Sequence, residues 1–399
     1  MRIDRLRCAA VAVVLGVCTP SAFCQDVIVE KRIFELPSYS TVGNDTIKNL
    51  KIGWEAAGTL NADKSNAILI THFFSGTSHA FGKYSAGDNA AGYWDSIIGP
   101  GKPIDTNKYY VVSSDTLVNL NANAPNVVTT GPATIDPDTG KPYGMRFPVV
   151  GIKDFVRVQK ALIDSLGVRK LKAVVGASMG GLQAYEWAAS YPEMVERIVP
   201  VVATPAPDLY LIAWLGAWAA PVVLDPRWNG GDYYGKEPPL DGLKTAFRVA
   251  TLQAFHYEWA DKTFRPGPAE MDKDPHKVLA NKFKVEAELD NLTARRAATV
   301  DANQFLYLVK ANQLASADIS RIKAPTLAIT TPGDAIFYPA RVEQADVCSR
   351  GRADRAEFVA LGTASAPGQV GGLGTGQILL PAGRGPLGVP RHHHGPGRR

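Results

Sequence analysis

Gly176-Ala177-Ser178-Met179-Gly180 sets a serine midway between two glycines. A serine hydroxyl becomes a usable nucleophile when a sharp turn lifts it clear of its neighbours, and glycines let a strand and a helix close around such a turn. The flanks agree with that chemistry. Lys172-Ala173-Val174-Val175 is β-rich, and the residues from Gly181 to Trp187 carry helical spacing. The predicted strand, turn and helix put Ser178 at the apex, with the positive end of the helix facing the place where an oxyanion forms. The pentapeptide alone should arise by chance in roughly one chain of this length in ten, so the flanks carry the reading.

A second group sits at Thr331-Pro332-Gly333-Asp334, after the apolar run Ala324–Thr330. Serine, then aspartate, then histidine is the chain order of α/β-hydrolase triads, which makes Asp334 the expected orienting acid. Gly-Asp is also an ordinary turn dipeptide; its position behind a buried strand favours the acid. A third group follows the run Ala67–Thr71. In an α/β-hydrolase the loop after that strand gives one backbone N–H to the oxyanion, and the residue after the nucleophile gives the other. Phe74 and Met179 are the expected donors. His72 and His79, in the same loop, are expected to be structural.

These groups need a sheet to hold them. Val27 to Leu60 alternates in a β-like way and suits an antiparallel start. Ala67–Thr71, Tyr109–Ser113 and Ile198–Val202 read as buried strands, and Ile152 to Leu166 has helical spacing with Gly167 as its cap. Strands alternating with helices imply a parallel sheet with right-handed crossovers. The long segment from Asp115 to about Pro148 is expected to shape a cleft mouth. From Pro205 to about Ser316 the strand rhythm stops, and an aromatic-rich helical cap is expected, its aromatics mostly packing. The expected fold class is α/β, an α/β-hydrolase fold with a mostly parallel sheet and a helical cap. Its divisions are a leader at 1–24, core at 25–204, cap at 205–316, closing strands at 317–361 and an atypical tail at 362–399.

Arg2, Arg5 and Arg7, the apolar run Cys8–Val17 and Ala22-Phe23-Cys24 read as a secretory signal ending before Gln25, which predicts export to a periplasm or the exterior. The apolar run is too short for a stable membrane anchor. A lipid on Cys24 is the competing reading, disfavoured by the bulky Phe23. Of four cysteines only Cys348 would stay in the mature chain, leaving neither an internal disulfide nor a cysteine metal site. A net charge of +5 spread over 399 residues, with no basic stripe, argues against nucleic acid as a partner.

Longer stretches carry a resemblance. Gly92-Tyr93-Trp94-Asp95, Gly99-Pro100-Gly101-Lys102-Pro103-Ile104-Asp105-Thr106, Thr130-Gly131-Pro132, Gly140-Lys141-Pro142-Tyr143-Gly144, Gly176-Ala177-Ser178-Met179-Gly180-Gly181, Asp225-Pro226-x-Trp228 and Asp301-Ala302-Asn303-Gln304-Phe305-Leu306-Tyr307 occur in order. With them the chain resembles the homoserine O-acetyltransferase family of α/β-hydrolases from about Gly53 to Leu361. The resemblance implies an eight-stranded sheet and a ping-pong acyl transfer. Serine takes an acetyl group from acetyl-CoA, as co-substrate and not as bound cofactor, and passes it to homoserine. A small ester or alcohol is the implied partner, and a homodimer is one arrangement open to it.

Three departures shape the functional expectation. Ala219 stands where the family carries an arginine that helps hold the amino-acid substrate, which removes a charge-assisted contact. Export would separate the enzyme from acetyl-CoA, so an ester donor and ester hydrolysis become equal expectations. The family's Gly-His after the last strand is missing: Gly362-Thr363-Ala364-Ser365 follows Leu361, and 362–399 lacks Asp, Glu and Lys. Two readings of this tail compete. A shifted reading frame would have removed the base and left an inactive chain. Alternatively His392, His393 or His394 reaches Ser178. The first is the expectation, because a general base must be held within hydrogen-bond reach of its proton.

Overall fold

The structure, a computed structural model, describes residues 27–350 and 357–360. The leader expected at 1–24 and the tail expected at 362–399, with His392, His393 and His394, lie outside the described residues.

The sheet begins with a hairpin, β1 (Arg32–Ser40) and β2 (Thr46–Ala57), paired antiparallel. In chain order there follow β3 (Ala67–Thr71), the two-residue strands β4 (Ile98–Gly99) and β5 (Ile104–Asp105), β6 (Tyr110–Ser114), α1 (Ile152–Ser165), β7 (Leu171–Ala177), α2 (Met179–Ser190) and β8 (Ile198–Val201). Five helices then run without an intervening strand: α3 (Leu209–Leu224), α4 (Leu240–Ala254), α5 (Tyr257–Thr263), α6 (Lys284–Ala297) and α7 (Ala302–Gln313). Last come β9 (Leu327–Thr330), α8 (Pro339–Arg350) and β10 (Glu357–Ala360). Eight strands form one sheet in the order β1-β2-β6-β3-β7-β8-β9-β10, parallel from β6 to β10.

Strand side chains alternate between faces, and the two cores show it. Leu69, Val112 and Val174 pack into the larger core with α1, α2 and the cap helices. Ile68, Ile70, Val111 and Val175 pack into a smaller one with Phe81, Tyr93, Trp94 and Ile98. β3 is therefore buried along its whole length, as its unbroken apolar run predicts. The β4 and β5 pair, not anticipated from the sequence, lies on this second face and explains the Gly99–Thr106 text: Asp105 Oδ1 accepts the Gly101 and Asn107 N–H groups at 2.9 and 3.0 Å.

Buried carboxylates tie the irregular parts down. Asp154 closes the first turn of α1 by accepting the Gly151 N–H at 2.9 Å, and its other oxygen accepts from Tyr39 Oη at 2.7 Å and Val42 N at 2.8 Å. The helix ends at Gly167, φ +73°, the left-handed cap expected there. Between 115 and 148 the chain forms one short turn of 3₁₀ helix, at Gly144–Arg146, and an isolated antiparallel bridge between Ile135 and Pro142. The cap closes on this segment: Tyr307 Oη donates to the Phe147 carbonyl at 2.5 Å. Within the cap, Trp228 Nε1 donates to Asn303 Oδ1 at 2.9 Å, bringing together two of the sequence texts.

Candidate active site

Ser178 joins β7 to α2 with φ +54° and ψ −121°, a conformation that costs a non-glycine residue of order 1–3 kcal/mol. Neighbouring backbone holds it there. Its N–H donates to the Val201 carbonyl at 2.9 Å, and its carbonyl accepts from Gly181 N at 2.8 Å and Leu182 N at 3.1 Å. The glycines are required by close approach. A Cβ on Gly180 would meet the Thr71 carbonyl oxygen at 2.1 Å, and one on Gly176 would meet the Gly180 carbonyl oxygen at 2.4 Å. Thr71 stitches the turn from below, donating its hydroxyl to the Gly180 carbonyl at 2.8 Å.

The half-buried Ser178 opens on a cavity of about 280 Å³ whose lining includes Asp334, Phe74, Trp218, Phe247, Phe337 and Arg296. Beyond the serine a recess of about 20 Å³ reaches Leu182, Leu211, Leu215 and Asn312, room for a methyl-sized group. A wider groove of about 710 Å³ runs between the N-terminus of α3 and α8, and holds neither Ser178 nor Asp334.

Asp334 Oδ1 accepts the Ile336 and Phe337 N–H groups at 2.8 and 2.7 Å. Burial pushes its carboxyl above the usual carboxylate range, and those two donors only partly oppose the shift. On the other side of the serine, the Phe74 ring packs edge-on against Trp218 and Phe305, each at 5.5 Å between centroids. The backbone N–H groups of Phe74 and Met179 have no hydrogen-bond partner among the described residues. Met179 is also the first residue of α2, where helix geometry leaves the N–H unsatisfied.

A buried charged network braces the loop that carries Phe74. Lys31 Nζ reaches Glu55 Oε1 at 2.8 Å and Asp115 Oδ2 at 3.5 Å and contacts Ser78 Oγ. Asp115 accepts the Ser78 N–H at 2.8 Å, and Glu55 accepts from His79 at 3.0 Å and Tyr84 Oη at 2.8 Å. Burial pushes the Asp115 carboxyl up. Burial also pushes Glu55 up, but His79, Lys31 and Tyr84 together outweigh it and hold that carboxyl below its ordinary value. His72 is fully buried, with Nδ1 2.8 Å from the Phe73 carbonyl oxygen and Nε2 3.3 Å from Asn119 Nδ2. Burial lowers its pKa to about 4, so it is neutral. Both loop histidines are structural, as expected.

The structure thus brings Ser178, Asp334 and Phe74 to one cavity with Met179 directly beside it. Among the described residues no histidine lines that cavity. His256, at the start of α5, lies against the turn before the acid, where a Cβ on Gly333 would meet its Cδ2 at 2.6 Å. Ala219 is not part of the lining. Arg296, Phe247 and Phe337 were not singled out by sequence, and Trp218, expected as packing, both packs and lines the site.

Residues 114–340 match the family described as the alpha/beta hydrolase fold. A solved structure of homoserine O-acetyltransferase from Bacillus anthracis is 36% identical, with a TM-score of 0.80 over 84% of this chain and 92% of that one. The chain belongs to the homoserine O-acetyltransferase family of α/β-hydrolases. A solved structure of esterase E22 is 46% identical, again with a TM-score of 0.80, over 84% of this chain and 94% of that one. The homoserine O-acetyltransferase of Methanococcoides burtonii is 39% identical over 310 residues, 74% of this chain; the chain spans 61% of the length of that relative. The Ser178 turn and the Asp334 strand end both fall within residues 114–340.

Proposed function

We propose that this member of the homoserine O-acetyltransferase family carries out serine-dependent acyl transfer through an acyl-enzyme, with ester hydrolysis as its outcome when water is the acceptor. One observation carries the proposal: a strained, half-buried Ser178 opens on the same cavity as Asp334, flanked by two unpartnered backbone N–H groups. Ser178 Oγ attacks the acyl carbon and gives its proton to the base. The Phe74 and Met179 N–H groups donate hydrogen bonds to the oxyanion, at a helix N-terminus that favours its charge. Collapse expels the alcohol or thiol with that proton, and an acceptor hydroxyl or water repeats the attack on the acyl-serine. Asp334 orients the base. The small recess beside the serine favours a short acyl group, acetyl being the one that fits.

Ester hydrolysis is supported by the 46% identity to esterase E22, against 36% to the Bacillus anthracis acetyltransferase. It also agrees with the export expected from residues 1–24, to a compartment without acetyl-CoA. Acetyl-CoA remains the donor if the family's named reaction holds. A second reading, a catalytically inactive relative, is favoured by the lack of a histidine in the described cavity lining. Rapid mixing with a chromogenic acetyl ester separates the two. A burst of alcohol release that Ser178→Ala abolishes supports the enzyme, and a trace no faster than the Ser178→Ala blank supports the inactive relative.

A further inference from the structure

Arg296 stands in the last turn of α6 and lines the cavity that holds Ser178 and Asp334. Elsewhere in the cap, Arg248 and Lys282 both pair with Asp290. Arg296 has no carboxylate partner among the described residues. It is half-buried, and burial alone draws its pKa downward, as happens when a cation loses water and gains no counter-charge. A basic residue at a helix C-terminus is favoured by the dipole. That accounts for Arg295 and Arg296 as a pair, but Arg295 is exposed and only Arg296 enters the cavity. Most of the remaining wall is apolar, with Phe73, Val202, Phe247, Ala250 and Phe255 among its members.

We propose that Arg296 is the anion-recognising residue of this site, and that the substrate is an ester or alcohol bearing a carboxylate, gripped by the guanidinium while Ser178 attacks the acyl carbon. The inference rests on the acyl-transfer reading of Ser178 and names its substrate class. A cation in an apolar, partly dry cleft gains most from a charge-assisted, two-pronged contact with a carboxylate. An ammonium group has no such partner: the one carboxylate in the described lining is Asp334, committed to the base. Acetyl esters of hydroxy acids and half-esters of dicarboxylic acids therefore fit better than α-amino acids. Arg296 arrives from α6, whereas Ala219 lies on α3, so the cavity regains a cation from a different helix.

The test uses the full chain and a matched pair of substrates, 3-acetoxybenzoate and its methyl ester, which differ by one negative charge. Wild type should prefer the carboxylate in kcat/KM by about tenfold or more. Arg296→Gln should erase that preference, chiefly through KM, costing the carboxylate about tenfold more than the methyl ester, and be partly rescued by Arg296→Lys; raised ionic strength should weaken the wild-type preference. Equal loss on both substrates, or an unchanged preference in Arg296→Gln, overturns the proposal. Binding of 3-hydroxybenzoate, followed by tryptophan fluorescence, is the arm independent of turnover. If neither ester is cleaved but binding weakens about tenfold in Arg296→Gln and recovers in Arg296→Lys, the acyl-transfer reading fails and the anion site stands. If binding is the same in all three proteins, the anion site fails whatever the turnover. Where Arg296→Gln does not fold, Arg296→Met against Arg296→Lys supplies the same comparison.

Discussion

The backbone N–H of Phe337 donates to Asp334 Oδ1 at 2.7 Å, so the peptide that follows the acid fixes its carboxylate while the Phe337 ring walls the cavity. One element thereby sets both the acid's orientation and the shape of the site. The cost is a half-buried carboxylate with two backbone hydrogen bonds and no ion pair among the described residues.

A raised carboxyl pKa means that the folded state holds its proton more tightly than the unfolded chain. The ionised form is therefore a penalty, absent at low pH and growing as pH rises through the folded value. Asp334→Asn keeps an oxygen for the two N–H donors and removes the charge. At neutral pH its melting temperature should rise by about 1–3 °C, while kcat/KM on an acetyl ester falls by about 10⁴. Melts at pH 3.5 and pH 7.5 check the sign: the gain belongs at the higher pH, and a destabilised variant there would contradict the assignment.

His72 works in the opposite direction. Its pKa is near 4 in the folded protein against 6.5 for the free side chain, so the unfolded chain takes up the proton first as pH falls. The stability it protects is complete above pH 6.5 and is lost as pH drops toward 4, to the extent of about 3 kcal/mol. Urea unfolding at a series of pH values should show this slope in wild type and a shallower one in His72→Asn. Identical slopes would mean that another group titrates.

Thr71 leaves no room beneath the elbow. Gly180→Ala pushes a methyl against the Thr71 carbonyl, an atom of a central strand that cannot rotate away. Overpacking of this kind should cost about 3 kcal/mol. Gly101→Ala, where a Cβ meets nothing within 4 Å, carries only the strain of its positive φ and should cost clearly less. Denaturant midpoints of the two variants give the comparison.

Among the described residues, Lys31 is the cation shared by the buried Glu55 and Asp115. Lys31→Met should destabilise by about 3–5 kcal/mol, because it strands two carboxylates rather than one. Lys48→Met, which breaks an exposed pair with Asp138, should leave the midpoint where it was. A mild effect at Lys31 would show that the loop bearing Phe74 is held by packing instead.

Much of this site is legible in the sequence because its chemistry is local. The turn at Ser178 is written in glycines that sit two residues from it, and the acid is written as a polar turn after an apolar strand. The unpartnered N–H groups of Phe74 and Met179 follow from where strand β3 and helix α2 begin and end. The cap is another matter. Trp218, Phe247 and Arg296 lie on three different helices, and which faces meet depends on contacts such as Trp218 Nε1 to Gln253 Oε1, 2.8 Å apart across 35 residues. Nothing near Arg296 distinguishes it from Arg295, because the roughly 100° between adjacent helical positions decides which of the two arginines enters the cavity. The β4 and β5 pair was missed because strands of two residues have no period to read. The base has no local text either: the tail after Leu361 reads as one that has lost it, and the alternative candidates His392, His393 and His394 lie outside the described residues.

Intact-protein mass spectrometry after brief exposure to an activated acetyl ester tests the central claim most directly. Wild type should gain the mass of one acetyl group, peptide mapping should put it on Ser178, and Ser178→Ala should gain none. An unmodified wild type, or equal acetylation of the Ser178→Ala protein, would contradict an acyl-enzyme at this serine.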